Sequence, residues 1–598
     1  MNNGAAGGDG SAKSKMDWAG GVHAEVIVAD TQKKSSNFMI QGAILGAASI
    51  VVRLIGLVYR VPLNNILGAE GIAYYGVAFD VYSILLLLSS YSMPLAVSKM
   101  VSARVALGQY RNVRKVLIHA IFFSLLLGLA AFAITFFGAQ IFANILNYPQ
   151  SAMALKVLSP ALVILSVLGV LRGYFQGYGN MVPTALSNIF EQIVNAVVSI
   201  VASTVLFNLA STAAAGNNTP SAMGAAGGTL GTVMGAFTAL VFMIILVIAG
   251  NKKLNRRIAE DTTRVTDTTG QIMKVMVLTI LPVILSTTIY NISSLLDTGI
   301  FGNLMMYSGL DQSTITAMNG MTVPWTELTT EVKQQLIAIL TGMYTGNYRL
   351  LINVPIALAS ALASSLIPSV VASMAQKNHS QVIRKIESSV KLTMLIAFPC
   401  AVGIGVLSKP IISVLFSSCA DIDKVSLMLM IGCISIVLYS LSTITNSILQ
   451  GIDKMRIPVI HSAISLVIHI IFLAAAMMLT QFNIFCVVVA DVLFALLMCI
   501  LNHRSIKKYL DYKQEVKKTF LLPLISSVIM GAAAFGIYTL IHKLLHSNLI
   551  ALIAAIIAAV IVYAVMLLLL RVIEQEELEM LPMGGKLART AKKLHLMR

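Results

Sequence analysis

The sequence predicts an all-α polytopic membrane protein. It reads as fourteen transmembrane helices, in two six-helix lobes related by a parallel repeat, plus a C-terminal helix pair. Three observations predict this. The first is composition: of 598 residues, 57% are hydrophobic and only 11% charged, with a mean hydropathy of +0.85. A soluble domain carries about 25% charged residues, so this chain has too few to coat a water-exposed surface. The second is a succession of apolar runs of spanning length. The third is the placement of Lys and Arg between those runs.

A hydrocarbon core about 30 Å thick needs roughly 20 helical residues. Runs of that size cover 38–64, 70–98, 114–140, 152–178, 182–208 and 226–250 in the first half of the chain. In the second half they cover 270–304, 336–372, 388–408, 424–450, 457–480 and 483–502, followed by 519–542 and 548–571. The expected organisation is then a flexible tail (1–37), an N-lobe (38–250), a linker (251–269), a C-lobe (270–502), the terminal helix pair with its lead-in (503–571) and a second tail (572–598). The N-terminal tail is Gly-, Ser- and Lys-rich without an apolar core, unlike a signal peptide.

Fourteen spans return the chain to the side on which it began, so successive loops must alternate in charge. The tails and the loops on their side hold 34 of the 42 Lys and Arg, counting Arg172 in the loop between spans 4 and 5. The opposite loops hold only Lys333, Lys409, Lys424 and Lys543. The positive-inside rule therefore places both termini in the cytoplasm. It also explains the formal net charge of +17 without nucleic acid as a partner. Four cations remain inside the spans: Arg53, Arg60, Lys156 and Arg349. Lys156 lies near a span end, where its stem can snorkel.

The chain also matches itself at an offset of 274. Gly68–Met100 aligns without gaps to Gly342–Met374, and the same offset pairs Gln176-Gly177 with Gln450-Gly451. Six spans per copy is an even number, so both copies share one membrane orientation. Such a parallel repeat puts the substrate path between two lobes.

Polar residues concentrate where that path would run. Span 1 carries Gly42, Ser49, Arg53, Gly56, Arg60 and Asn64 at helical spacing on one face. Span 8 carries Thr341, Thr345, Arg349 and Asn353, followed by Pro355; span 7 carries Pro282, Ser286, Tyr290, Asn291, Ser294 and Asp297. An arginine at mid-membrane costs about 2.5–3.5 kcal/mol on insertion scales, so Arg53, Arg60 and Arg349 require water, a counter-charge or an anionic ligand. Arg53, Arg60, Arg349, Asn64 and Asn353 are the candidate substrate-binding residues. Asp297, Asp80 and Glu191 are the candidate ion-coupling residues, with Asp491 a further buried carboxylate. The same aspartates read equally well as counter-charges to the arginines. Glu191, with Gln192 and Asn195, reads equally well as a bond between helices of one lobe.

Enzyme and metal signatures are missing. The sequence holds no HExxH, Walker A or GxSxG pattern, and His461 and His469 are eight residues apart, too far for a two-ligand helix pair. Its five cysteines form no CxxC. No catalytic residue, resident metal or cofactor is expected, only Na+ or H+ as a coupling ion.

Several segments together resemble a known family. They are VVRLIGLVYRVPLNNILGAEGIAYYGVAFDVYSILLLL (51–88), MPLAVSKMVSARVALGQ (93–109), FQGYGNMVPTALSNIFEQIVNA (175–196), ASSLIPSVVASMA (363–375) and SILQGIDKMRIP (447–458). From about 38 to 571 the chain resembles the multidrug/oligosaccharidyl-lipid/polysaccharide flippase superfamily, in its polysaccharide-biosynthesis SpoVB/YtgP group, related to the MurJ lipid II flippases. The resemblance implies two six-helix lobes, alternating access, and export of a polyprenyl-pyrophosphate-linked cell-wall sugar such as lipid II across the bacterial plasma membrane. Its implied partners are that lipid-linked oligosaccharide, membrane lipids and cell-wall synthesis proteins. Arg53, Arg60 and Arg349 approximately match the family's cavity arginines, and Asp297 is the candidate for the role of a helix 7 acid that binds sodium in some relatives. The family's helix 2 arginine has no counterpart: the stretch is Leu85–Leu88, with Asp80 the only charge nearby.

Three rival readings remain at this stage. A cation-coupled multidrug extruder of the same superfamily would meet arginines of the wrong sign for organic cations. A polyprenyl glycosyltransferase would need an acidic site, for which the outer 7–8 loop offers Asp311, Glu327 and Glu331. A non-transporting scaffold for cell-wall synthesis is the third.

Overall fold

The computed structural model describes residues 17–212, 219–263, 267–308, 325–376 and 378–572. Parts of both predicted tails and residues 309–324, with Asp311, lie outside them. Among the described residues the chain is helical throughout, with no strand. The first half comprises α1 (Asp17–Leu86), α2 (Met93–Ala106), α3 (Tyr110–Ile145), α4 (Ser151–Leu158), α5 (Pro160–Gly177), α6 (Val182–Thr212) and α7 (Pro220–Ala259). The second half comprises α8 (Thr269–Ser308), α9 (Thr330–Gly342), α10 (Arg349–Ala375), α11 (His379–Val406), α12 (Ser408–Leu415), α13 (Ile422–Gly432), α14 (Ile434–Gly451), α15 (Arg456–Leu479) and α16 (Ile484–Leu510). The pair α17 (Leu522–Leu545) and α18 (Asn548–Leu569) follows.

Ten stretches among the described residues are long and apolar enough to cross a membrane, or eleven if α13 and α14, bent by 44°, form one span. The sequence predicts fourteen, and two features account for the difference. Predicted spans 1 and 2 form one continuous stretch, Ile44–Ala106, and the polar α8 and α9–α10 are not among the ten, Thr269–Leu281 of α8 being apolar but short. The loop expected between spans 1 and 2 is a kink at a single residue, Gly68, with φ 64° and ψ −178°. Glycine alone adopts that conformation without a Cβ penalty. At 1.5 Å per residue, the 63 residues of Ile44–Ala106 would extend about 95 Å if straight, so the kink and a π-turn at Leu87–Tyr91 divide them into more than one crossing. Helix α1 also starts at Asp17, well ahead of the predicted first span.

Small residues set the closest helix contacts. On α7, Gly224, Gly228, Gly231 and Gly235 face Ser203, Ser199, Asn195 and Glu191 of α6. Ser199 Oγ donates to Gly228 O at 2.8 Å and Ser203 Oγ to Gly224 O at 3.0 Å. A Cβ on Gly231 or Gly235 would strike the α6 backbone, so this pair is a small-residue interface of the membrane type. The outer surfaces bear large exposed apolar side chains, such as Phe137 at 77% and Val560 at 65%, a surface suited to lipid.

The two halves meet where α1 crosses the end of α9. A Cβ on Gly342 would run into the Ala69 carbonyl, and one on Gly346 into Ile72 and Asn64. Gly342 is the residue that the 274 offset pairs with Gly68. Polar ties surround the crossing. Glu70 accepts from Tyr74 Oη, Ser221 Oγ and, across the halves, Gln335 Nε2 at 3.2 Å. Tyr148 Oη lies 2.6 Å from Thr341 Oγ1.

The connection between halves is itself docked. Arg104 Nε pairs with Asp267 Oδ2 at 2.6 Å. Asp261 accepts from the Arg111 and Thr263 backbone amides, each at 2.8 Å, and from the Thr263 hydroxyl. Burial pushes the Asp261 carboxyl up. The Arg111 and Thr263 hydrogen bonds and the Arg111 charge outweigh it, leaving the group below the usual carboxylate range.

Candidate functional site

A cavity of about 470 Å³ opens between α1 of the first half and α8, α10, α14 and α16 of the second. It is built from the polar positions that these helices carry inside the apolar bundle. From α1 come Arg60, Asn64, Tyr75 and Asp80; from α8, Ser294 and Asp297; from α10 and the π-turn before it (Met343–Tyr348), Thr345, Arg349 and Asn353. Tyr439 of α14 and Asp491 of α16 complete the polar lining used below.

The two walls differ in how their polar groups are satisfied. On the second-half side, Arg349 Nη1 donates to Ser294 Oγ at 2.5 Å, and Ser294 Oγ donates to Asp80 Oδ1 at 2.8 Å. Thr298 Oγ1 donates to Asp80 Oδ2 at 3.0 Å. Arg349 therefore reaches the Asp80 carboxylate through a serine, and Asp80 ties α1 to α8. Tyr344 Oη donates to Asp491 Oδ2. The buried Asp297 bonds His469 of α15 at 2.5 Å, and the other His469 nitrogen lies 2.8 Å from Ala490 O. A carbonyl only accepts, so His469 Nδ1 carries a proton. One further proton must then sit between Nε2 and Oδ1. The pair is neutral overall, whichever atom holds that proton.

On the α1 side, a donor lacks an acceptor. Asn64 Nδ2 is buried without a hydrogen-bond partner, and Asn64 is only 3% exposed, whereas Tyr75 and Arg60 each bond the Tyr59 hydroxyl. Arg60, one turn from Asn64, is exposed to the cavity. Its electrostatic neighbours are Tyr59, Tyr75 and Arg349, and among the described residues no carboxylate lies within 4 Å of it. An orphaned buried donor costs about 1–3 kcal/mol. Asn64 beside an arginine with no carboxylate in reach makes a place suited to an acceptor-rich anion.

The sequence candidates thus separate. Arg60, Asn64, Asp80, Asp297, Arg349 and Asn353 come together at the cavity. Arg53 does not line it; its Nη1 donates to Ala357 O of α10 at 2.6 Å. Glu191 is also outside it, paired at 2.7 Å with Arg172. Arg172 is not in a loop, as the sequence count has it, but inside α5. The side chains of Pro282, Ser286, Tyr290 and Asn291 lie outside the described residues. His469 and Tyr75 were not picked out by sequence, His469 because its partner is 172 positions away and no local spacing signals it. Among the described residues no three His, Cys, Asp or Glu form a metal-type cluster. Glu327 and Glu331, exposed at the start of α9, are not in the cavity. The five cysteines are free.

Comparison with known proteins fits this architecture. Residues 40–374 match the family model described as polysaccharide biosynthesis protein, more than half of the chain. The chain belongs to the polysaccharide biosynthesis protein family. Residues 337–573 of this family member also match the model described as lipid II flippase MurJ. It is 26% identical over 518 residues to the lipid II flippase MurJ of Bacillus subtilis (strain 168), an alignment covering 83% of the chain and 88% of that relative. It is 29% identical over 203 residues to the stage V sporulation protein B of the same organism, covering 34% and 37%. Among solved structures, a lipid II flippase MurJ in an inward closed conformation aligns with TM-score 0.61 at 15% identity, covering 88% of this chain and 98% of that one. An inward-facing multidrug resistance MATE family transporter of the MOP superfamily aligns with TM-score 0.58 at 15% identity, covering 78% and 99%. These structural likenesses establish the fold. The family member is an integral membrane protein of the flippase superfamily to which MurJ belongs.

Proposed function

We propose that this protein flips a polyprenyl-pyrophosphate-linked cell-wall sugar precursor, lipid II foremost, from the inner to the outer leaflet by alternating access. The observation that carries this reading is Arg60 facing the cavity with no carboxylate in reach among the described residues, beside the unpaired Asn64 Nδ2 inside the bundle. A pyrophosphate offers the charge and acceptors those donors lack, and arginine binds such groups through forked, charge-assisted hydrogen bonds. Alignment over most of both chains with a named lipid II flippase supports the same cargo. The head then rests in the cavity while the polyprenyl tail stays in lipid. No reaction is catalysed. The test is depletion in a bacterium that relies on this protein, followed by labelling of lipid II at the outer surface. Inner-leaflet accumulation, reversed by wild type but not by Arg60→Gln, supports the reading, and unchanged exposure sinks it.

In this reading the chain has fourteen spans, with lobes at 38–250 and 270–502, and the cytoplasm faces both termini. The 34-to-4 asymmetry of Lys and Arg and the 274-residue offset support it. Single cysteines placed in alternate loops and labelled from outside test it.

Two further parts belong to the reading. Asp80 is a latch: an anion that engages Arg349 competes with the Ser294 bridge to Asp80 and loosens α1 from α8. The coupling ion is a proton held by the Asp297–His469 pair, rather than sodium, because the pair already encloses one proton and offers no free lone pair between its partners. Asp491, Tyr344 and Arg349 are the charged and titratable groups facing it. Flipping in vesicles should follow an imposed proton gradient without sodium, and His469→Gln should abolish that response; dependence on sodium alone would refute proton coupling. A second reading, export of an organic cation, draws on Asp80, Asp297 and Asp491 in the same cavity. Drug sensitivity on depletion with normal lipid II exposure would favour it.

A further inference from the structure

A second cavity, of about 300 Å³, lies on the far side of α14 and α16 from the central one. Thr443 of α14 lines the central cavity, while Ile448 lines this one. The two spaces share no lining residue. The walls of the second are apolar: Ile448 and Ile506 are 0% and 2% exposed, and Phe520, from the π-turn leading into α17, closes one side. Ile500, 41% exposed, stands at an edge of the slot on the lipid-facing side of α16. At the end of the span, His503 and Arg504 line the slot and are exposed. Among the described residues, no carboxylate lies within 4 Å of Arg504.

The surrounding charge is net positive. From Arg504 to Lys518 the chain carries Arg504, Lys507, Lys508, Lys513, Lys517 and Lys518 against Asp511 and Glu515. An apolar slot that opens toward the bilayer and ends in cations at the membrane surface matches an amphiphile with an anionic head. Basic pockets between membrane helices at a positively charged face are sites of that kind. A soluble phosphate would leave the apolar walls unfilled, and a zwitterionic lipid would leave the cations unmatched.

We propose that this slot binds an anionic phospholipid of the adjoining leaflet, with one acyl chain along Ile448, Ile506 and Phe520 and its phosphate on Arg504 and His503. The lipid is a structural ligand distinct from the cargo. It wedges the back of α14 and α16, the helices that carry Tyr439 and Asp491 to the central cavity.

The full-length protein is purified in mild detergent from a membrane of mixed phosphatidylglycerol and phosphatidylethanolamine, and its retained lipid is measured by native mass spectrometry. This readout does not depend on flipping, so it stands or falls separately from the proposed cargo. Wild type is expected to retain one phosphatidylglycerol in preference to phosphatidylethanolamine. Arg504→Gln should reduce that retention about tenfold, the scale of one charge-assisted hydrogen bond. Ile500→Trp, which fills the mouth, should do the same, whereas Arg504→Lys should keep part of it. Lys507→Gln removes the same charge from an exposed site outside the slot and should leave retention unchanged. Equal loss in Lys507→Gln and Arg504→Gln, full retention in Ile500→Trp, or equal retention of the two lipids by wild type would each overturn the proposal.

Discussion

The α1 wall of the central cavity and the wall facing it use similar residues to opposite effect. Toward the second half, Arg349 is bridged by Ser294 to Asp80 near the end of α1, Asp491 accepts from Tyr344, and Asp297 is closed by His469. Near the middle of α1, Arg60 has no carboxylate within reach among the described residues, and Asn64 carries an orphaned donor. A satisfied polar network holds helices together, whereas unsatisfied donors wait for a ligand. The difference separates an arginine tied into the bundle from one that, in the proposed function, receives cargo.

The largest effect that would break this comparison is on stability. Arg349→Ala removes the charged hydrogen bond to Ser294 and the cation nearest Asp80 and Asp491, at a cost of about 3 kcal/mol. A marked fall in thermal unfolding temperature and membrane level is expected. Arg60→Gln should instead keep stability and weaken cargo binding about 10- to 100-fold, for the loss of about 1.5–3 kcal/mol from a charged hydrogen bond. Binding of lipid II to the purified variant measures it; equal destabilisation by both substitutions would erase the distinction.

A smaller effect sharpens it. Asn64→Leu removes an orphaned buried donor, so the empty protein should gain stability, while cargo affinity falls by about 0.5–1.5 kcal/mol. Opposite signs in unfolding and in binding are the expected signature. Smallest is the docked linker. Asp261 sits below its unfolded value, so its stabilisation is present above the ordinary carboxylate range and is lost as pH falls through its lowered value. Hydrogen exchange at 260–263 should rise at low pH in wild type, while Asp261→Asn should show raised exchange at every pH.

Much of this was legible along the chain. Apolar runs mark most helices because lipid demands about 20 uninterrupted apolar residues with the backbone satisfied internally. Gly68 was read as part of a loop and is a kink, because one left-handed glycine turns the chain without needing more residues. Arg53 and Arg60 share a helical face by spacing, yet only Arg60 lines the cavity. Periodicity specifies direction around a helix, but not the depth at which a neighbouring helix closes over it, and α10 meets Arg53 with a carbonyl. Glu191 looked like an intramembrane acid of any role; its partner, Arg172, was nearby in sequence and had been assigned to a loop.

The sequence by itself determined the solvent, the all-helical class and most of the intramembrane charges, Arg172 excepted, since each follows from local composition against a fixed bilayer thickness. Which charges meet was decided by tertiary structure alone. Asp80 and Ser294 are 214 positions apart and Asp297 and His469 are 172. Their pairing depends on how α1, α8 and α15 cross, a matter of helix packing that no periodicity within one helix encodes. The same packing leaves Asn64 Nδ2 unmatched beside Arg60, and so decides where an anion would bind.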